Sequence, residues 1–143
     1  MGTLSNYLEL EVQDHVLGGA DFSRPATVYF ALYSAVPSDT GGGTELTGGT
    51  APGYTRIAVT NNTTNFPAAT TNGTTGKGEK LLAVAHSSPA NSGGSDWPTI
   101  VAWALLDGSS GGNQLMWGEV SPLAVTPAAQ FTVPADTIVW RQD

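Results

Sequence analysis

The sequence predicts a mainly β fold: an antiparallel β-sandwich or jelly-roll-like domain with one N-terminal α-helix. Roughly seven or eight short segments rich in β-branched and aromatic residues are separated by turn residues, without the β-α-β alternation of a parallel sheet. Glycine (18 residues) and proline (9) are abundant, and only 12% of the residues are charged. With 143 residues, of which 40% are hydrophobic, the chain is predicted to form one domain, residues 1–143, with a substantial core.

The first element is predicted to be an α-helix over about residues 4–17. Thr3 or Ser5 can cap its first turn, because a side-chain oxygen accepts a backbone N–H there. Gly18 and Gly19 end the helix. Apolar residues recur at every fourth position, at Leu4, Leu8, Val12 and Val16. This spacing places them on one face, and we expect Leu4, Leu8 and Val12 to anchor the helix to the domain.

Three strands are predicted in the first two thirds of the chain. Thr27–Ser34 carries apolar residues on both faces, which is typical of an inner strand. Tyr54–Thr60 alternates between apolar and polar residues, as in a strand with one buried face. Leu81–Ala85 is a short apolar segment and is the third predicted strand.

Four more strands are predicted toward the C-terminus. Thr99–Leu106 is strongly apolar, and Gln114–Val120 follows it after a Gly-rich stretch at Asp107–Asn113. Two strand patterns joined by a short Gly-rich turn predict a β-hairpin. Gln130–Val133 and Thr137–Arg141 are predicted to be the closing strands.

Three stretches rich in Gly, Ser and Thr, at 37–52, 67–78 and 87–96, are predicted to be flexible loops. The first two have no predicted role in the core, so we expect them to reach partner proteins. Candidate contact residues lie in or beside turn-rich stretches: Trp97, Asn61, Asn62, Asn72 and Lys77.

Trp97 is predicted to be exposed, because it follows a Ser/Gly stretch and precedes Pro98. The other three tryptophans, Trp103, Trp117 and Trp140, lie within predicted strands and are expected in the core. An exposed aromatic ring near asparagine side chains is typical of carbohydrate recognition. A glycan-binding module is therefore one alternative function for this chain.

The charge balance argues against two classes of partner. Five basic and twelve acidic residues give a net charge of −7, and the basic residues are dispersed along the chain. Nucleic acids and anionic membranes are bound through clusters of positive charge, so neither is an expected ligand. The chain has no cysteine, which excludes disulfides and cysteine-based metal sites within it.

Catalytic motifs are weak in this sequence. Gly108–Gly112 matches the G-x-S-x-G pattern of hydrolases, with Ser110 as the nucleophile and His86 as the available base. That motif requires a strand before the serine and a helix after it, whereas both flanks are predicted strands. His15 and His86 are the only histidines, which is too few for a three-histidine zinc site. We predict a protein without enzymatic activity, cofactor or bound metal.

Several segments, taken in order, resemble a family of small virion structural proteins of tailed bacteriophages, often labelled tail fibre or minor structural proteins. The resembling segments are Ser5–Glu9, Asp14–Gly19, Pro25–Leu46, Tyr54–Ala69, Trp103–Val120 and Ala128–Trp140. The region Lys77–Trp97 departs from the pattern by being longer and richer in Ser and Gly. The resemblance implies incorporation into a virion assembled in the host bacterial cytoplasm, and no enzymatic activity.

The position in the virion is predicted from size. A domain of this length has a radius of gyration of about 14–15 Å, too small for the long shaft of a receptor-binding fibre. The expected role is a capsid decoration (cement) protein bound to the major capsid protein, and the alternative is a tail-associated fibre, adaptor or receptor-binding module. A homo-oligomer is also expected, because one small sandwich would have difficulty covering apolar residues on both faces of its inner strands.

Overall fold

The fold is given by a computed structural model that describes residues 2–136 and 139–141. One α-helix, Asn6–Val16 (α1), is present in this part of the chain. The strands are, in chain order, Thr3–Leu4 (β1), Thr27–Ala35 (β2), Thr44–Glu45 (β3), Ile57–Thr60 (β4), Thr70–Thr71 (β5), Gly78–Leu81 (β6), His86–Ser87 (β7), Ile100–Leu106 (β8), Gln114–Leu123 (β9), Thr132–Val133 (β10) and Val139–Arg141 (β11). All strand pairs are antiparallel, so the predicted fold class is confirmed.

The main sheet is built around β2 and β8. Its strand order is β1-β9-β8-β2-β3, and β4 also pairs with β2. In the β2–β8 register Phe30 lies opposite Leu105 and Leu32 lies opposite Trp103. The predicted inner strand and the predicted β8–β9 hairpin are both confirmed, because long apolar segments separated by a short turn pair with each other locally.

The outer edge of β2 is shared by two strands. β4 pairs with the first half of β2, as far as Phe30 opposite Ile57, and β3 pairs with the second half, where Tyr33 lies opposite Glu45. Between them the Leu32 N–H donates to the hydroxyl of Tyr54 at 3.0 Å. The predicted strand Tyr54–Thr60 therefore begins only at Ile57, because β3 occupies the remaining edge.

The two faces of the main sheet are buried by different means. One face packs, with Phe30 and Trp103 edge to face at 5.5 Å between ring centroids, against residues from the loops and the smaller sheets. That core includes Leu46, Ala51, Tyr54, Phe66, Leu82, Trp97, Val125, Phe131 and Val133. The other face carries Ala31, Tyr33, Ala102, Ala104 and Leu106, all of them buried.

Both faces of β2 and β8 are thus covered within a single chain. The expectation of a homo-oligomer depended on those faces being too apolar for one domain to cover. Burial of Phe30 and Ala31, on opposite faces, to 0% exposure removes this reason. Oligomerisation stays a prediction that needs other support.

Two smaller sheets accompany the main one. β10 pairs with β7, and β11, β6 and β5 form a three-stranded sheet in that order. The third predicted strand, Leu81–Ala85, is displaced to Gly78–Leu81. Within 67–78, which is predicted to be a flexible loop, Thr70–Thr71 forms a strand that pairs with β6. Of the predicted strand Thr137–Arg141, the last three residues form β11, and Thr137 and Ile138 lie outside the described residues.

The N-terminal helix is confirmed with shorter bounds than predicted. Ser5, 1% exposed, is its N-cap, and its hydroxyl accepts from the Leu8 N–H at 3.3 Å and donates to the Gln114 carbonyl. Leu4 belongs to β1, opposite Met116. No residue of the helix is buried. Of the expected anchors Leu4, Leu8 and Val12, Leu8 packs against the core and Val12 is half-buried, while Leu4 lies on β1 and not on the helix.

Candidate functional site

Trp97 is a core residue, so the prediction that it is an exposed contact residue is wrong. Its side chain is 1% exposed, and the indole N–H donates to the Pro52 carbonyl at 3.0 Å. The ring meets Tyr54 edge to face, with centroids 5.8 Å apart. Buried Asn91 donates to the Val125 carbonyl at 2.8 Å and so fastens the 87–96 stretch over the core. The Ser/Gly composition of 87–96 is typical of a mobile loop, but the side-chain amide of Asn91 holds the stretch in place.

The first pair of candidate asparagines stabilises a turn. The Asn61 side chain donates to the Pro25 carbonyl at 2.9 Å. The Asn62 side-chain oxygen accepts from the backbone N–H groups of Thr64 and Asn65 at 3.1 and 2.9 Å. These bonds are the expected turn chemistry of asparagine. A role of Asn61 or Asn62 in partner contact stays a prediction.

Asn72 performs a similar task in the turn between β5 and β6. Its side-chain oxygen accepts from the N–H groups of Thr74 and Thr75 at 2.9 and 2.8 Å, and its amide donates to Glu79 at 2.9 Å. Lys77 lies exposed in the same turn. The turn therefore projects as a defined hairpin tip. Contact with a partner through Asn72 or Lys77 stays a prediction.

A polar pocket lies at one end of the main sheet and was not predicted from the sequence. It has a volume of about 330 Å³. Six segments build it: the start of α1, β2, the 39–42 turn, the end of β8, the end of the β8–β9 turn and the start of β9. The residues that line this polar pocket are Asn6, Tyr7, Tyr33, Asp39, Thr40, Gly41, Gly42, Leu106, Gly112, Asn113 and Gln114.

Hydrogen bonds hold the walls of the polar pocket together. The indole N–H of Trp117 donates to the Asp39 carboxylate at 2.8 Å, and the Asn6 N–H donates to the Asp39 carbonyl at 3.0 Å. The Gln114 side-chain amide donates to the Ser38 carbonyl at 2.7 Å. The 39–42 turn is thus fixed to both α1 and β9. The pocket is formed before any ligand arrives, which favours binding because little ordering is then required.

The electrostatic surroundings of the polar pocket are negative. Burial raises the pKa of Tyr7, and the nearby carboxylates of Glu11 and Asp107 raise it further. Burial likewise raises the pKa of Tyr33, with Glu45 adding to the effect. Both phenols therefore keep their protons at neutral pH and remain hydrogen-bond donors.

Next to this pocket, Arg56 joins three segments. Its guanidinium makes two bonds of 2.8 Å to the Glu45 carboxylate and two more, of 2.6 and 2.7 Å, to the carbonyls of Gly108 and Gly111. The Arg56 side chain is 9% exposed and that of Glu45 is 26% exposed. Bonding to Glu45 raises the pKa of Arg56. This ion pair fixes the β8–β9 hairpin to β3.

The G-x-S-x-G motif is a hairpin turn, as predicted. Ser110 lies between β8 and β9, so strands flank it on both sides. His86, the proposed base, is instead 3.2 Å from the Asn65 side-chain oxygen through its Nε2. The strand-turn-helix context that strains a nucleophilic serine is missing from this hairpin.

We expect the free energy of unfolding to depend on pH through His86. Burial lowers the pKa of His86 below its usual 6.5, so the unfolded chain binds a proton more readily than the folded one. The stabilisation is complete above about pH 6.5 and is lost as the pH falls through the lowered folded-state pKa. Urea titrations between about pH 7.5 and 5 should show this loss.

A matched pair of variants tests the assignment to His86. His86→Gln should flatten the pH dependence over this interval. His15→Gln is the comparison variant, because it removes the other imidazole, whose side chain is 53% exposed at the end of α1. Equal behaviour of the two variants would contradict the prediction.

Within 2–136 and 139–141 there is no group of three or more histidine or acidic side chains placed to bind a metal ion. In that same part of the chain, no helix is long and apolar enough to cross a membrane.

Comparison with known proteins identifies the family. The profile of the family described as "Podophage GP4 fiber I protein gp80" matches residues 3–141. The chain belongs to this family. A search of the curated proteins gave no match. Membership of this fibre family confirms the predicted resemblance to phage virion structural proteins, and it makes this chain a virion protein assembled in the host cell.

The family description bears differently on the two predicted positions in the virion. The word "fiber" agrees with the tail-associated alternative better than with capsid decoration. Association with other virion components follows from membership of a phage fibre family. Neither the identity of the partner nor the number of copies follows from it.

Proposed function

We propose that this protein is a non-enzymatic, tail-associated component of a podophage fibre. The observation that carries the proposal is the match of a podophage fibre family over residues 3–141. Because the match spans both the helix and the closing strands, it concerns the whole domain rather than one shared motif. The proposal replaces capsid decoration as the favoured role.

Several features of the fold support a structural role. The motif that most resembles a catalytic one is a hairpin turn whose carbonyls bind Arg56, and its serine lacks the strained context of a nucleophile. The largest side chains in the polar pocket are tyrosines and amides. Neutral phenol and amide groups form hydrogen bonds to a ligand more readily than they catalyse a reaction on it. A small rigid β domain is suited to act as an adaptor or a tip, since its radius of gyration is about 14–15 Å.

The partners in this proposal are other tail proteins. α1 presents large apolar side chains to solvent, with Leu10 64% and Val16 69% exposed. Leu17, the C-cap that follows the helix, is 82% exposed. Exposed apolar side chains of this size are characteristic of surfaces that assemble with other proteins. We propose that the exposed side of α1 contacts these tail proteins.

Gold labelling of whole particles tests the proposed position. The chain has no cysteine, so Gly73→Cys introduces a single reactive thiol at the β5–β6 turn. A side chain at Gly73 meets no other atom within 4 Å. Particles carrying this variant, labelled with maleimide-linked gold, should show gold at the tail in electron micrographs.

The controls make the result decisive. Particles with the wild-type protein have no thiol from this chain and report labelling of other virion proteins. Gold distributed over the icosahedral shell would overturn the tail proposal and support decoration. Gold on neither structure, with the protein present in purified particles, would also contradict exposure of this turn at the tail.

A further inference from the structure

The polar pocket offers both hydrogen-bond donors and acceptors that the protein itself does not use. Within the described residues, the hydroxyls of Tyr7 and Tyr33 and the side-chain amide of Asn6 form no hydrogen bond. Asn113 and Gln114 donate through their amide nitrogens, to Asp107 and Ser38, which leaves their side-chain oxygens as acceptors. These groups face water in the free protein, so a ligand can exchange those water contacts for direct hydrogen bonds.

The mixture of groups distinguishes among ligand chemistries. An anion would require donors alone, and a cation would require acceptors alone. A sugar hydroxyl both donates and accepts, so neighbouring hydroxyls match a surface where the two alternate. The Asn6 amide can donate to one hydroxyl and accept from its neighbour. The Asp39 oxygen that does not bind Trp117 can accept from another hydroxyl. Tyr7 and Tyr33 supply aromatic surface for the apolar C–H groups of a sugar ring.

Charge narrows the choice further. No lysine, arginine or histidine is among the residues that line the polar pocket. Asp39 lines it, and Glu11 and Asp107 act on Tyr7. Glu45 acts on Tyr33 and is opposed there by Arg56, whose guanidinium is itself bonded to Glu45. Acidic ligands such as phosphates, sialic acids or uronic acids would therefore be repelled.

We propose that this pocket, bounded by Asn6, Tyr7, Tyr33, Asp39 and Asn113, is a binding site for neutral saccharide. Its volume of about 330 Å³ lies near the lower end of the roughly 300–1,000 Å³ usual for ligand sites. The site holds a short sugar unit and not a long chain lying in a groove. The fixed 39–42 turn and the β8–β9 hairpin form its rim.

The biological meaning of this site rests on the proposed tail function, for which it names a ligand class. A tail-associated domain that binds neutral sugars would contact the carbohydrate of a cell surface. Sugar binding itself belongs to the isolated protein and is measured without particles. The two proposals can therefore fail separately.

Nuclear magnetic resonance titration of the full-length ¹⁵N-labelled protein tests the site. The probes are methyl β-glucoside, methyl β-galactoside, N-acetylglucosamine and their disaccharides. Sialyllactose serves as the anionic probe, and choline serves as the cationic probe. At least one neutral sugar should shift the backbone signals of Gly41, Gly42 and Asn113, and neither charged probe should.

Variants that remove single polar groups locate the binding. Tyr7→Phe, Tyr33→Phe and Asn6→Ala should each weaken binding of the responding sugar by about 2- to 10-fold, the effect of one lost hydrogen bond. None of these changes removes a described hydrogen bond of the fold. Tyr29→Phe is the matched control, since Tyr29 lies on β2 but does not line the pocket. It should bind as the wild type does.

The remaining outcomes overturn either the saccharide proposal or the tail proposal. Absence of shifts with every neutral sugar, or shifts that persist unchanged in all three variants, would show that the pocket is not a saccharide site. Binding of choline, and of none of the neutral sugars, would show that the pocket is a cation site. Sugar binding together with gold on the capsid would overturn only the tail proposal, and gold on the tail without sugar binding would overturn only this one.

Discussion

Replacing Trp97 by alanine should lower the free energy of unfolding by about 3–5 kcal/mol, the usual cost of truncating a fully buried aromatic residue. Trp97 is 1% exposed, so the substitution opens a cavity beside Tyr54. It also leaves the Pro52 carbonyl without the indole N–H that it accepts at 3.0 Å. Natural domains are stable by about 5–15 kcal/mol, so this one change should remove a large share. Urea unfolding followed by circular dichroism measures it.

Trp97→Phe separates the two contributions at this position. Phenylalanine keeps most of the buried ring but cannot donate to Pro52, so its effect should be smaller, on the order of 1–2 kcal/mol. The contrary result is also clear. If Trp97→Ala were as stable as the wild type and only weakened incorporation into particles, then Trp97 would be a contact residue after all.

Replacing Arg56 by alanine should destabilise the protein by about 3 kcal/mol. Removing one partner of a buried ion pair costs about 3–5 kcal/mol, and the 26% exposure of Glu45 places this pair at the lower end. The change also strips a donor from the carbonyls of Gly108 and Gly111. The β8–β9 hairpin should therefore exchange its amide hydrogens faster, in addition to the lower urea midpoint.

Three further variants show which property of Arg56 stabilises the protein. Arg56→Lys keeps the charge but not the forked geometry, so it should recover only part of the loss. Arg24→Ala removes an exposed arginine and should change stability by less than about 0.5 kcal/mol. In a double-mutant cycle, Glu45→Ala should add little to Arg56→Ala because the two residues share one interaction. Additive effects would contradict the ion-pair assignment.

The long apolar strands could be predicted because their signal is local. Thr27–Ser34 was predicted and β2 spans Thr27–Ala35, while Thr99–Leu106 was predicted and β8 spans Ile100–Leu106. β-Branched and aromatic residues favour the extended backbone within each segment, whatever lies elsewhere. The β8–β9 hairpin followed for the same reason.

The two-residue strands could not be predicted. Thr44–Glu45 and Thr70–Thr71 lie in Gly- and Thr-rich stretches whose composition indicates loops. Neither has a preference for strand strong enough to detect in so short a segment. They are strands because β2 and β6 present free edges to them, and such pairing depends on the tertiary arrangement.

The candidate sites also show which features depend on local sequence and which depend on tertiary contacts. Trp97 was predicted to be exposed from its neighbours, a Ser/Gly stretch and Pro98, whereas its burial depends on Pro52, Tyr54 and Asn91. The polar pocket combines residues from positions as distant as Asn6 and Gln114. No spacing along the chain connects them, so no motif could have indicated the site.

The fold class, the N-terminal helix, the main strands, the hairpin turn at Ser110 and the resemblance to a phage structural family could all be predicted from the sequence. Each of these depends on backbone preference, periodicity or matched segments, which are properties of neighbouring residues. Three other features depend on the tertiary arrangement. They are the burial of Trp97, the covering of both faces of β2 within one chain, and the polar pocket beside Tyr7 and Tyr33. Burial and pocket shape are sums over contacts between segments far apart in the chain, and those contacts exist only after the sheet has formed.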